Sequence, residues 1–185
     1  PLTNATTLDQ IGNSDLKWET TTDVNLGLDL AFLDNRMKFT VDVYKKNTKD
    51  LLQIIYFPGF SKPYYYNAGE IENKGLELGI NTRNFTGDFK WNSSFNISFN
   101  ENKVVALGLL KKLPFQNLNS LGESVILLTE GSSLGSFYGY KVDKVDPATG
   151  ALLYKDTNED GSITPADRTN IGNPNPKYTF GLSND

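Results

Sequence analysis

The sequence predicts an all-β chain of antiparallel strands. Three observations lead there. Apolar and polar residues alternate with a period of two in four separate runs, clusters of turn-forming residues or long loops divide those runs, and aromatic residues make up 12% of the 185 positions. A period of two sends alternate side chains to opposite faces of an extended strand, so each run has one apolar and one polar face.

The first run, Thr21 to Phe32, places Val24, Leu26, Leu28, Leu30 and Phe32 on one face and Asp23, Asn25, Gly27, Asp29 and Ala31 on the other. Leu33-Asp34-Asn35-Arg36 has the chemistry of a tight turn. The second run returns with Met37, Phe39, Val41 and Val43 opposite Lys38, Thr40, Asp42 and Tyr44, which predicts a hairpin. A third sets Leu76, Leu78 and Ile80 against Gly75, Glu77, Gly79 and Asn81, and ends at Asn84-Phe85-Thr86-Gly87-Asp88. In the fourth, Phe89, Trp91, Phe95, Ile97 and Phe99 share a face broken only by Ser93, against Lys90, Asn92, Ser94, Asn96, Ser98 and Asn100. A last run begins at Tyr178-Thr179-Phe180-Gly181-Leu182.

The connections are lopsided. Two short turns lie at one end of the strands, while about 20 residues from Lys49 to Gly69 and about 70 from Glu101 to Asn175 lie at the other. Short turns on one side, long loops on the other, an outward apolar band with aromatic girdles and a polar inner face describe a transmembrane β-barrel. A soluble β-sandwich accounts for the same alternation by packing the apolar face on a second sheet. Runs of about 10–12 residues exceed the usual 5–6 and, with the loop asymmetry, favour the barrel. Phe32, Phe39, Phe89 and Trp91 then form a girdle near the short turns, and Asp29, Asp42, Lys38, Lys90 and Asn96 face the lumen. Five or six strands cannot close a barrel, which needs at least 8, so the expected object is part of one.

Composition narrows the chemistry. The chain has no His and no Cys, which removes His-dependent triads, thiol nucleophiles, imidazole or thiolate metal sites and disulfides. A net charge of −4 and a pI near 4.9 argue against nucleic acid as a partner. No apolar stretch approaches the roughly 20 residues of a membrane helix. Glu70, Glu72 and Glu77 could be offered as a glycosidase acid pair, but any acidic strand end gives the same 6–7 Å spacing. No catalysis is expected.

Five segments together resemble the SusC/RagA type of TonB-dependent outer-membrane transporter, in the second half of its barrel. They are Asp15-Leu16-Lys17-Trp18-Glu19-Thr20-Thr21, the stretch Asp42-Val43-Tyr44-Lys45-Lys46-Asn47-Thr48-Lys49-Asp50-Leu51-Leu52, Asn67-Ala68-Gly69-Glu70-Ile71-Glu72-Asn73-Lys74-Gly75-Leu76-Glu77, Gly135-Ser136-Phe137-Tyr138-Gly139-Tyr140 and Ile171-Gly172-Asn173-Pro174-Asn175-Pro176-Lys177-Tyr178. The resemblance covers residues 1–185 and implies antiparallel strands of a large transmembrane β-barrel, present in part, with long extracellular loops. It also implies a bacterial outer membrane of the Bacteroidetes type, contact with membrane lipid, and import of glycan or peptide fragments. The partners it implies are a SusD-like surface lipoprotein and a TonB complex acting through a plug that these residues do not include.

The strongest local motif lies in an expected extracellular loop at 143–172. Residues 156–167, Asp-Thr-Asn-Glu-Asp-Gly-Ser-Ile-Thr-Pro-Ala-Asp, follow the spacing of an EF-hand-like calcium loop. Asp156, Asn158 and Asp160 supply side-chain oxygens, Gly161 the sharp turn, Ser162 a backbone carbonyl, Thr164 the ninth position and Asp167 the closing carboxylate. Ca²⁺ is the expected ion because hard cations take oxygen cages; the alternative is an Asx-rich turn closed without an ion. Asp167 replaces the usual Glu, as in dockerin-like loops. Phe57, Phe60, Tyr64, Tyr65 and Tyr66 crowd the first long loop and read as packing rather than substrate contact. No residue is assigned to substrate.

Overall fold

The computed structural model describes residues 12–58, 62–118 and 123–185; Gly59 and Phe60 of the first long loop lie outside these. The strands are β1 (Thr20–Phe32), β2 (Met37–Lys49), β3 (Leu52–Ile55), β4 (Tyr64–Asn67), β5 (Glu70–Thr86), β6 (Lys90–Ala106), β7 (Lys112–Leu118), β8 (Glu123–Thr129), β9 (Phe137–Gly139), β10 (Val142–Val145), β11 (Leu152–Tyr154), β12 (Thr169–Gly172) and β13 (Thr179–Asn184), with one 3₁₀ turn at Pro165–Asp167. An antiparallel wall runs in the order β1-β2-β5-β6-β13. The sequence foresaw these five strands.

Register turns the alternation of each strand into continuous rows. Leu28, Val41, Leu78, Ile97 and Phe180 lie side by side across all five strands, and Leu30, Phe39, Ile80, Phe95 and Leu182 form the next row toward the short turns. The row on the other side is Leu26, Val43, Leu76 and Phe99. Among the described residues no second sheet covers this face: Leu26 keeps 74% of its surface exposed and Leu182 66%. From Phe89 in the turn to Phe99, ten residues rise about 33 Å along the strand, or about 25 Å along the axis at a 40° tilt, which is the height of an outer-membrane apolar band. The opposite face carries Asp29, Thr40 and Asn96 in one row, with Asp42, Glu77 and Ser98 in the next.

The girdle near the short turns is present: Phe32 and Phe39 meet edge to face at 5.8 Å, and Phe85 lies 5.9 Å from Phe89 and 5.8 Å from Trp91. Phe85 joins the girdle because a bulge between Arg83 and Phe85 shifts it opposite Trp91. Leu33, Asp34 and Asn35 all take left-handed φ values, 53°, 53° and 63°. The two short turns are fastened together. Arg36 donates to the carbonyls of Arg83 (3.2 Å) and Asn84 (2.8 Å), and the Arg83 amide donates to the Arg36 carbonyl at 2.8 Å.

At the other end β5 and β6 outrun the expected strands, each reaching 17 residues. The outward face turns charged there, with Val24, Lys45, Lys74 and Glu101 in one row, so the apolar alternation that marked the strands in sequence stops while the hydrogen-bonded ladder continues. Above this level the long connections fold into small sheets that the sequence did not foretell: β3-β4, β10-β11 and β12-β9-β8-β7.

Candidate functional site

The short pieces of sequence that carry the family likeness sit apart in the chain, and the structure brings most of them together at the long-loop end of the wall. Asn67 is the first junction. Its side-chain amide donates to the carbonyls of Lys17 (2.8 Å) and Asp50 (2.7 Å), while its oxygen accepts the Lys17 amide at 2.8 Å. Glu19 accepts the Leu52 amide at 2.9 Å, and Lys17 pairs with Asp50 at 2.9 Å. Segments 15–21, 42–52 and 67–77 are thereby locked into one corner. A second junction joins 135–140 to 171–178. Strand β9 pairs with β12, Pro174 lies over Gly135 where a Cβ would come within 3.1 Å, and Asn175 donates to Ser133 Oγ at 2.8 Å.

A small core ties these corners to the wall. Val104 is fully buried, Leu107 is 5% exposed and Tyr66 9%. The turn at 131–134 grips β6 from above: Gly131 donates to the Val104 carbonyl (2.7 Å), Val104 to that of Ser132 (2.8 Å), and Leu134 to Asn102 Oδ1 (2.9 Å). Tyr64 stacks on Tyr66 at 6.2 Å and meets Phe57 at 5.6 Å, and the Tyr66 hydroxyl donates to Gln53 Oε1 at 2.8 Å. These rings pack the β3-β4 hairpin, as the sequence suggested. Tyr65 and Tyr56 remain exposed. In the second motif Tyr138 lies under the Arg168 guanidinium at 4.5 Å and Tyr140 against Tyr154 at 5.5 Å.

The loop at 156–167 closes on its own carboxylates. Asp156 accepts the amides of Glu159 (2.7 Å), Asp160 (3.3 Å) and Gly161 (2.7 Å), Asn158 accepts that of Asp160 (3.1 Å), and Asp160 that of Ser162 (2.9 Å). Gly161 sits at φ +86°, the left-handed turn expected of the sixth position. Asp167 is fully buried and points inward: one oxygen accepts the Thr157 amide and the other the Thr164 amide, both at 2.8 Å. Thr164 caps the 3₁₀ turn, completing a reciprocal capping box with Asp167. The Thr164 hydrogen bond, with lesser help from Thr157 and Asn158, holds the Asp167 carboxyl at about 2 against the burial that would raise it. Asp167 therefore acts as an internal strut, a role invisible in the spacing. Among the described residues no group of three or more His, Cys, Asp or Glu side chains is assembled as a metal-holding cluster.

On the inner face Tyr44, Asn100 and Gly75 lie in close contact. Tyr44 lies over Gly75, where an added Cβ would fall 2.5 Å from the ring and 2.7 Å from the Phe99 carbonyl, and the Tyr44 hydroxyl accepts from Asn100 at 2.5 Å. Beside them, a groove of about 600 Å³ contains Asp23, Asp42, Lys46 and Glu77. Glu70 and Glu72 are held by Lys49 (3.6 Å) and Lys45 (2.8 Å), the ordinary ion pairs of a solvated strand end.

Residues 2–185 match the family described as TonB dependent receptor-like, beta-barrel. The chain belongs to that family. Family membership makes it an outer-membrane chain of a Gram-negative bacterium and sets it among receptors, not enzymes. TonB-dependent receptor P3 of Formosa agariphila is 38% identical over 98% of the chain, and TonB-dependent receptor SusC of Bacteroides thetaiotaomicron is 40% identical over 51% of it. The structure of the RagAB peptide transporter superposes over the whole chain with a TM-score of 0.74 at 25% identity, covering 22% of that transporter chain. An open state of the RagAB peptide importer gives 0.73 over 95% of the chain. The chain spans about a fifth of the length of the P3 receptor. The partly built antiparallel barrel of this receptor family accounts for the uncovered apolar face, which in the membrane meets lipid.

Proposed function

We propose that this chain forms wall and outer loops of a TonB-dependent importer of glycan or peptide fragments, working with a SusD-like surface lipoprotein and driven by a TonB complex through a plug. One observation carries the reading: a five-strand sheet apolar on its outer face over about 25 Å and polar on its inner face, continued upward by loops locked to one another at Asn67 and Asn175. The wall gives a fixed frame, and the loops give a shaped outer surface for a lipoprotein to rest on. The likeness to a peptide transporter favours peptide over glycan as cargo. Residues 143–172 are read as an extracellular loop, with Ca²⁺ at 156–167 as an adjunct that stiffens it; the ligand spacing and the left-handed Gly161 at the sixth position support the ion.

The test is made on the full-length protein in its own cell. A surface lipoprotein should co-purify with it, and uptake of labelled oligopeptides should require both the gene and a working TonB. Undiminished uptake of both oligopeptides and oligosaccharides after deletion of the gene would contradict the proposal.

A further inference from the structure

The outward face of the wall changes character within one row. Leu26, Val43, Leu76 and Phe99 end the apolar band, and Lys45, Lys74 and Glu101 occupy the next row up. A hollow of about 400 Å³ opens across that border. Val43, Leu76 and Phe99 line its lower part, continuous with the lipid-facing rows, and Lys74, Lys177 and Glu101 line its upper part. Lys74 meets Glu101 at 3.2 Å with both side chains more than half exposed, so this pair contributes little and leaves the ammonium further donors. Lys177 has no ion-pair partner among the described residues. Two lysines against one glutamate leave the hollow cationic.

We propose that this hollow seats a phosphate-bearing lipid of the outer leaflet, its phosphate between Lys74 and Lys177 and an acyl chain laid along Phe99, Leu76 and Val43. The proposal rests on the reading of this face as lipid-facing. An apolar floor joined to an ammonium pair at the height where hydrocarbon gives way to headgroups matches one molecule with both parts. A free phosphate leaves the floor bare, and an uncharged lipid leaves Lys177 without a counter-charge.

Native mass spectrometry of the full-length receptor in non-ionic detergent tests this, with monophosphoryl lipid A, its dephosphorylated form and inorganic phosphate as probes. The phosphorylated lipid should be retained over the dephosphorylated one. At about fivefold per lysine near an anionic surface, Lys74→Gln with Lys177→Gln should lower retention on the order of 25-fold. Lys177→Gln alone, outside any strand, should give about fivefold and guards against a folding defect in the pair. Equal retention of the two lipids, or unchanged retention in the double variant, overturns the proposal. So does displacement by inorganic phosphate, which makes the site one for free anions, and so does an equal loss in Lys155→Gln on the outer loop. Were the face not lipid-facing at all, the arginine comparison on β1 described below would fail separately.

Discussion

Arginine placed at two heights on one strand separates a lipid-facing wall from a water-facing one. Leu28 and Val24 lie on the same face of β1, four residues apart, and both are exposed in the wall, 53% and 64%. Leu28 belongs to the row shared with Val41, Leu78, Ile97 and Phe180, about 5 Å along the axis inside the upper edge of the apolar band. Val24 belongs to the row that already holds Lys45, Lys74 and Glu101. A cation near the bilayer midplane of a barrel costs about 2–4 kcal/mol and near the interface about 0–1. Leu28→Arg, at a depth between those two limits, should therefore cost about 1–2 kcal/mol more than Val24→Arg, a difference of roughly 5- to 30-fold in the folding equilibrium. On a water-facing sheet the two exposed sites would be alike within about 0.5 kcal/mol. Urea titration of the full-length receptor into phosphocholine vesicles, read by gel mobility of unheated samples, measures both. A Leu28→Arg cost equal to that of Val24→Arg would refute the lipid-facing assignment.

Three further substitutions probe the inner face and the 156–167 loop. Gly75→Ala should destabilise the barrel by about 1–3 kcal/mol, because the new methyl meets both the Tyr44 ring and the Phe99 carbonyl; Tyr44→Ala in the same chain should restore only part, since the carbonyl stays. Full restoration would place the strain elsewhere. For the 156–167 loop, the Asp167 carboxyl is depressed from the ordinary range near 3.9 to about 2, so its contribution is complete above that ordinary range and is lost as pH falls through about 2. Asp167→Ala should raise amide exchange at Thr157 and Thr164 on the order of tenfold at neutral pH. Unchanged exchange at both amides would remove the strut. Added calcium should slow exchange across 156–167, and a calorimetric titration to millimolar calcium with no heat would remove the ion.

The wall was legible because lipid on one side and a hydrated lumen on the other impose a period of two over each buried span. Where that contrast ends, so does the signal. Residues 70–74 and 101–106 continue β5 and β6 with Glu72, Lys74, Glu101 and Lys103 on the outward side, and only the ladder with their neighbours reveals them as strand. Strands β9, β10 and β11 are 3–4 residues long, too short for any alternation to stand out, and β9 takes its partner β12 from 30 residues away. Asp167 shows the same limit at a site. Its place at the end of a ligand-like series was readable, but the amides of Thr157 and Thr164 that it gathers depend on how the loop closes. The fit of Tyr44 over Gly75 required the register of β2 against β5.

Strands β5 and β6 each run 17 residues without a break in chain, about 55 Å of extended backbone, from the turns fastened by Arg36 to the buried contacts around Val104. The lower part is immersed in oil and the upper part in water, yet the two share one rigid member. A load applied to the outer loops, such as the weight and tilt of a docked protein, is then not absorbed locally. It passes down the same two staves to the periplasm-facing rim, much as a mast carries the pull of its rigging to the keel.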